Sequence, residues 1–412
     1  MSLKLAKAKQ QTNSRDLVTK DALPPHIIKY MGSKRNILSS LLVGIDQFSD
    51  FNKVCDLFAG TSVLSGALRD TYDIHSNDIQ EYSAVLSKTY LSNVNRELGV
   101  AKINAIKVKA EEYISKIRNK NPELKFQYTS SMTLKEFNEV EIKQQKLVKD
   151  DFSDLKYHLF LKYYSGTYWS YEQCIWIDAL RKVADDFKDS PIHNIILSSL
   201  MFAMSYNSQS TGHYAQYRDA TNEKSKDDIL IYRGKEIWPY FVRKFNELKN
   251  FLTPHNKNHK VTTLDYAECL ELIDTDTLVY ADPPYCFVHY SRFYHALETL
   301  VKYDYPKINF KGRYREDRHQ SPFCRKTEVK KAFSILFDKV AVKEAQLLLS
   351  YSDNGLIELG EIFDLASEAF DNKSYRISEH RLSHLHSTMG RDDEKNIDVN
   401  EHLIFIRKSN HG

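Results

Sequence analysis

Residues Asp282-Pro283-Pro284-Tyr285 follow the apolar run Leu278-Val279-Tyr280-Ala281. The run reads as a buried strand, and the block at its end supplies a carboxylate, a stiff turn and a flat ring. Each proline fixes φ and removes a backbone donor, so the chain has little freedom there and its carbonyls are left to accept from a ligand. Acceptors beside a stacking face suit an exocyclic amino group on a planar base. Taken alone, the tetrapeptide fits a proline-capped strand end with a solvated Asp equally well. The surrounding chain decides between the two.

A second chemical element is Asp56-Leu57-Phe58-Ala59-Gly60-Thr61-Ser62, at the end of the apolar stretch Val54 to Phe58. Glycine after a strand lets the chain turn sharply and lets a ligand approach the backbone. Asp78 follows a second short strand around Ile74 to Asn77. An acid about 20 residues beyond such a loop is where a ribose hydroxyl pair is usually held. Together they point to an adenosine-containing cofactor. The next glycine after Gly60 is Gly66, so the dinucleotide pattern GxGxxG is absent, as is the phosphate loop GxxxxGK[ST]. Asp265 follows a strand ending at Leu264 and is expected at the ligand crevice of an open α/β sheet, or as the N-cap of a helix Ala267 to Leu272. Lys29-Tyr30-Met31-Gly32-Ser33-Lys34-Arg35 lies before the first strand. It reads as a pocket mouth or as a basic surface turn.

The elements that must position these residues read as an α/β unit. Val54–Phe58, a turn, the helix Val63–Leu68 and the strand ending at Asn77 form strand-turn-helix-strand. Strand patterns return at Lys260–Leu264, Leu278–Ala281, Gln346–Tyr351 and His402–Ile406. Between them, about 93 to 254, helical periodicity dominates, as in Ala101–Lys120 and Thr133–Lys149. Ser170-Tyr171-Glu172-Gln173 is a capping box before a helix Cys174–Phe187. The expected organisation is a tail over 1–22, a catalytic domain over 23–92 and 255–412, and a helical domain over 93–254. The 412 residues are too many for one compact core. A net charge of +3 means that nucleic-acid binding has to come from local clustering. Five scattered cysteines without a CxxC pair argue against zinc or a disulfide framework and fit a reducing cytosol. No metal is expected. The apolar stretch Ile195–Met204 is too short to span a bilayer, so a cytoplasmic protein without a membrane partner is expected.

In this order, Lys29 to Lys34, Phe58-Ala59-Gly60, Asp78, Asp265 and Asp282 to Tyr285 resemble the Dam-like, alpha-type family of S-adenosylmethionine-dependent DNA adenine N6-methyltransferases. The resemblance covers about 30 to 92 and 255 to 290 well, and the C-terminal strands loosely. It implies a Rossmann-like methyltransferase sheet interrupted by a mostly helical target-recognition insert, with S-adenosyl-L-methionine as cofactor. It places Tyr30 and Lys34 at the cofactor, Phe58 and Gly60 under its methionine and ribose, Asp78 on the ribose and Asp265 near the cofactor's adenine. Asp282, Pro283 and Tyr285 then hold the target base, with Asp282 also facing the cofactor. The family's FxGxG reads here with Ser62 as the last residue. A small residue there implies altered detail, with binding kept.

The chemistry agrees with the resemblance. The lone pair of adenine's amino nitrogen is delocalised into the ring. Asp282 and the Pro283 carbonyl can accept both amino hydrogens and favour direct attack on a sulfonium methyl, with positioning as the main contribution. The base has to leave the helix, and Tyr285 offers a stacking partner once it does. Cys286 reads as packing, and Phe287 mainly so. For recognition of double-stranded DNA, Asn207, Gln216 and Arg218 are the candidates in a polar, aromatic stretch, and Lys311, Arg313 and Arg315 in a basic one. Solvated loops account for both stretches as well. The resemblance implies a modification enzyme paired with a restriction endonuclease on a separate chain. Cytosine-N4 methylation and a catalytically silent DNA-binding subunit are the alternatives.

Overall fold

The computed structural model describes residues 23–94, 98–210, 212–284, 287, 289–370, 374–387 and 396–409. Its centre is a seven-stranded sheet in the order β3-β2-β1-β4-β7-β9-β8. The strands are β1 (Lys53–Asp56), β2 (Asp73–Asn77), β3 (Lys260–Thr262), β4 (Thr277–Ala281), β7 (Gln346–Ser352), β8 (Tyr375–Ser387) and β9 (Asn396–Lys408), while β5 (Ile308–Asn309) and β6 (Tyr314–Arg315) pair separately. Pairing is parallel from β3 through β7 and antiparallel from β7 to β9 and β9 to β8. Every residue of β4 and β7 is buried, as a parallel sheet covered on both faces requires.

Side chains alternate between the two faces with period two. Leu278 and Tyr280 join Val54 and Ile74 under α1 (Leu38–Ile45) and α2 (Val63–Leu68). Val279 and Ala281 join Cys55 and Leu347 under α11 (Tyr266–Leu270), α14 (Val329–Val342) and α15 (Leu359–Phe370). The predicted strand positions hold with shifted ends. The 13-residue β8 was not expected, because only Tyr375 and Ile377 are apolar in its run Tyr375-Arg376-Ile377-Ser378-Glu379-His380.

The span between α3 (Glu81–Tyr90) and β3 holds seven α-helices among the described residues: α4 (Val100–Lys120), α5 (Leu134–Gln145), α6 (Leu159–Tyr164), α7 (Tyr171–Asp185), α8 (Ile192–Asn207), α9 (Glu223–Arg233) and α10 (Ile237–Phe251). The capping box predicted at Ser170 is present and starts α7. The core of this block is continuous with the helices beside it. Leu180, Leu200, Met201 and Phe241 pack in one apolar cluster with Tyr82 and Leu86 of α3 and Leu297 of α13 (His295–Lys302), the helix that follows α12 (Tyr290–Phe293). Buried Asp178 ties the block down: it accepts from the Phe160 and Leu161 N–H groups at the start of α6 and from the Tyr303 hydroxyl beyond α13.

Candidate active site

Register explains why residues far apart in sequence meet. In the parallel ladders Asp56 pairs with both Ser76 and Tyr280, and Asn77 pairs with Thr262. The Gly60 turn, Asp78, Asp265 and Asp282 therefore leave the sheet at one edge, at the carboxyl ends of β1, β2, β3 and β4. The chain moves outward in opposite directions from β1, so β1 and β4 flank the topological switch point, where open α/β sheets bind ligands. One cleft is lined there by Tyr30, Lys34, Phe58, Gly60, Asp78, Asp265 and Asp282, all predicted from sequence. Pro283 and Pro284 line it too, whereas Tyr285 and Cys286 lie outside the described residues. Phe287, expected to pack, is 68% exposed.

The glycine turn is tight. Gly60 has φ +52°, and a Cβ there would meet Tyr30 Oη at 3.2 Å. Its N–H donates to Asp78 Oδ2 at 2.8 Å, and the Gln80 N–H donates to Oδ1 at 2.9 Å. Burial nevertheless pushes the Asp78 carboxyl up to about 6 against these two donors. Ser62, at the glycine position of the family pattern, sits in the left-handed region with φ +56° and is fully buried. Its hydroxyl meets Ser87 Oγ at 2.6 Å. A serine thus takes a backbone conformation that glycine adopts without strain. Phe58 stacks on Tyr266 with centroids 5.9 Å apart and meets the edge relation with Phe323 at 5.4 Å, which gives the cleft an apolar wall.

Asp265 does both things expected of it. It caps α11 by accepting from the Ala267 N–H at 2.9 Å, and it lines the cleft. Asn77 fastens three strand ends together: its Nδ2 donates to the Leu57 and Leu264 carbonyls, and its Oδ1 accepts from Thr262 Oγ1 and the Leu264 N–H.

Asp282 sits beside a cation. Lys34 Nζ lies 2.9 Å from Asp282 Oδ1 and 2.5 Å from Glu401 Oε1. The first contact is an ion pair rather than an aligned hydrogen bond. Burial pushes the Asp282 carboxyl up to about 7; Lys34 opposes the rise, and Glu401 and Asp56 add to it.

Sequence reasoning missed Tyr290 and Tyr294. Tyr30 lies in a stack with both, at centroid distances of 5.3 and 4.7 Å. It also missed His289 and His319, which line the cleft. Tyr290 lies only eight residues past Asp282, a spacing that could have flagged it.

The predicted recognition residues divide. Asn207 is buried in the last turn of α8 and donates to the Ala203 carbonyl. Arg313 donates to the Tyr163 and Gln145 carbonyls, and buried Arg315 forks onto Asp304 at 2.7 Å through both nitrogens and also pairs with Asp317. These three are engaged within the fold. Gln216 and Lys311 are exposed and Arg218 is half-buried; Arg218 pairs with Asp228, and Lys311 with Asp219. Gln216 and Arg218 line a second, open cleft together with Arg292.

Cys55 and Cys269, scattered in sequence, meet with Sγ atoms 3.9 Å apart, and His75 Nε2 is 3.8 Å from Cys269 Sγ. That ring nitrogen also bonds Thr262 Oγ1 at 2.9 Å, and the threonine hydrogen goes to Asn77 Oδ1. Nε2 must then carry a proton and donate, so the cluster reads as packing around a committed histidine.

The fold and this cleft define an α/β protein with a carboxylate-lined cleft at the switch point of its sheet. Comparison with known proteins makes the class specific. The family model for the D12 class N6 adenine-specific DNA methyltransferase matches residues 30–353. The chain belongs to that family, which bears out the resemblance drawn from its motifs. It is 25% identical over 394 residues to the type II methyltransferase M.FokI of Planomicrobium okeanokoites, covering 92% of this chain and 53% of that protein. It is 23% identical over 345 residues to the modification methylase LlaI of Lactococcus lactis subsp. lactis, covering 82% of this chain and 48% of that one. The type II methyltransferase M.NlaIII of Neisseria lactamica is 23% identical over 400 residues and is covered along 100% of its length. The chain thus spans about half the length of M.FokI and LlaI. The family implies a methyl donor. Among the described residues no helix is long and apolar enough to cross a membrane.

Proposed function

We propose that the protein transfers a methyl group from S-adenosyl-L-methionine to N6 of an adenine flipped out of double-stranded DNA, as the modification component of a restriction-modification system. The observation that carries this reading is the shared cleft of the Gly60 turn and the Asp282-Pro283-Pro284 block. Members of three relatives' names, type II methyltransferase and modification methylase, support the restriction-modification part. A cognate endonuclease on a separate chain and a cytoplasmic location are part of the same reading.

The residues present fit the donor. Gly60 leaves the space that a Cβ would fill against Tyr30, and the Asp78 carboxylate stands at the ribose end. Phe58 and Tyr266 form a flat apolar wall suited to an adenine ring, with Asp265 at its rim. When bound, the donor supplies an electrophilic methyl on sulfur.

The chain's own residues do the rest. Asp282 and the Pro283 carbonyl accept the two amino hydrogens of the target adenine and orient its lone pair across the cleft. Lys34 holds Asp282 in place and favours its charged form. Tyr285 stacks on the extruded base. Tyr30, stacked on Tyr290 and Tyr294, closes the turn over the donor. We assign recognition to residues 93–254, with exposed Gln216 and half-buried Arg218 as its candidates for base contacts, and exposed Lys311, outside that span, as a candidate for a phosphate contact.

The test is uptake of a labelled methyl group into duplex DNA, followed by base-resolution mapping. Transfer to adenine N6 that is abolished in Asp282→Ala is expected. Label on cytosine N4 would move the activity to the other amine. DNA binding without any transfer would make the chain a silent subunit.

A further inference from the structure

The candidate active site and the second cleft share one short helix. Tyr290 and Ser291 of α12 line the first, and the next residue, Arg292, lines the second with Gln216 and Arg218. The Ser291 hydroxyl donates to the His319 carbonyl, so the stretch that follows β6 is fastened to the same rim. His319 lines the first cleft, and Arg318 precedes it in the chain. Arg292 and Arg318 both lie over the ring of buried Tyr314, with guanidinium carbons 5.5 and 5.2 Å from its centroid.

The fold uses up the other cations of this region. Arg313 donates to two backbone carbonyls, and Arg315 to Asp304 and Asp317. Arg218 pairs with Asp228, and Lys311 with Asp219. Arg292 and Arg318 make neither an ion pair nor a side-chain hydrogen bond among the described residues, and Nη1 of Arg318 is left without a partner. A ring face attracts a guanidinium but takes none of its in-plane N–H groups. Two like charges at one ring, with no acid paired to either, repel each other and attract an anion. Their field reaches the first cleft: burial, and then the Arg318 charge, holds the ring of its lining residue His289 below the usual histidine range.

We propose that Arg292 and Arg318 form a clamp for a backbone phosphate of the target strand beside the extruded adenosine. This rests on the functional reading above. Duplex DNA carries an anion at every nucleotide, and a guanidinium presents a fork that fits a phosphate through two N–H groups. The pair stands on the rim between the cleft of the methyl transfer and the cleft that holds the base-contact candidates. A strand that places one base in the first and its neighbours along the second carries its sugar-phosphate chain across that rim. A grip there fixes the extruded nucleotide without reading any base. Tyr314 holds both guanidiniums in place before DNA arrives, so less side-chain freedom is lost on binding. The two are positioning residues, since they touch the strand and neither the methyl donor nor the target amine.

The test measures duplex binding across salt for the full chain, as wild type, Arg292→Ala, Arg318→Ala and the two Lys replacements. Each Ala variant is expected to lower the slope of log affinity against log salt by about 0.9, and each Lys variant to keep it. A second arm uses a duplex with the site found by methylation mapping and an uncharged methylphosphonate flanking the target adenine. That replacement should weaken binding by wild type about tenfold and cost the Arg292→Ala/Arg318→Ala double variant nothing further. Arg292 is exposed, so Arg292→Ala should keep wild-type thermal stability and donor affinity, and it tests the clamp even where Arg318→Ala fails to fold. Ala variants with the wild-type salt slope, or a double variant as sensitive to the methylphosphonate as wild type, overturn the clamp. A wild type that binds duplex DNA without transferring methyl overturns the functional reading alone, and the salt slopes then decide the clamp. A wild type with no affinity for duplex DNA overturns both.

Discussion

Asp282→Asn should make the protein more stable and far less active. The amide keeps the shape of the carboxyl and removes its charge, while Lys34 keeps its ion pair with Glu401. The Asp282 carboxyl is raised from 3.8 to about 7 in the folded protein, chiefly by burial. A raised carboxyl costs nothing below its unfolded value, where it is protonated in both states. The cost then grows as pH rises from about 4 to 7 and is constant above that. Three units at 1.36 kcal/mol each give about 4 kcal/mol as the upper figure, shared across the Asp282–Lys34–Glu401 set. The Asn variant should therefore gain about 2–4 kcal/mol at pH 8, and the gain should vanish near pH 4. Denaturant unfolding of both proteins across this range measures it. Methyl transfer by the variant should fall by about a hundredfold or more, the loss typical of a removed transition-state contact. An Asn variant no more stable than wild type at pH 8, or one whose gain persists at pH 4, would refute the burial reasoning.

Other perturbations separate the cofactor side from the DNA side. Gly60→Ala places a Cβ at φ +52° against Tyr30 Oη, so it should cost about 1–2 kcal/mol and weaken binding of the methyl donor in calorimetry. Ser62→Gly should keep donor binding, because it relieves a left-handed serine, whereas Ser62→Val puts a branched side chain at φ +56° in a fully buried position and should abolish it. Lys311→Ala should leave thermal stability unchanged while the dependence of DNA affinity on salt falls by about one phosphate contact. Arg315→Ala should instead destabilise the fold by about 2 kcal/mol, since Asp304 and Asp317 lose a buried guanidinium but stay part-solvated.

The cleft was legible because its parts leave adjacent parallel strands within a few residues of their ends. Apolar runs announced β1, β4 and β7, and a polar signature followed β1, β2 and β4 at the point where the register aligns them. Asp265 shows that two sequence readings need not compete: one carboxylate oxygen caps α11 while the residue lines the crevice. What escaped were contacts with no local pattern. Asn207 and Arg315 have the residue types of DNA readers, but a helix carbonyl four residues back and a pair of aspartates take them up. Residue type marks a candidate, while the nearest competing acceptor decides it, and that acceptor is set by tertiary packing.

Glu401 is the extreme case. Nothing around it in the sequence marks it as a neighbour of the cleft, and its partner Lys34 lies 367 positions earlier. β7 is buried along its full length, so it needs a neighbour on the side away from β4, and β9 provides it in antiparallel pairing with Ser352 opposite Glu401. An edge strand so apolar would otherwise be open to association. The strand that closes the sheet thus also carries the carboxylate to Lys34. Burial of that carboxylate beside Lys34 and Asp282 is costly, and replacing such a set by apolar residues often stabilises a fold. Its place against Lys34, beside Asp282, therefore calls for an account other than stability.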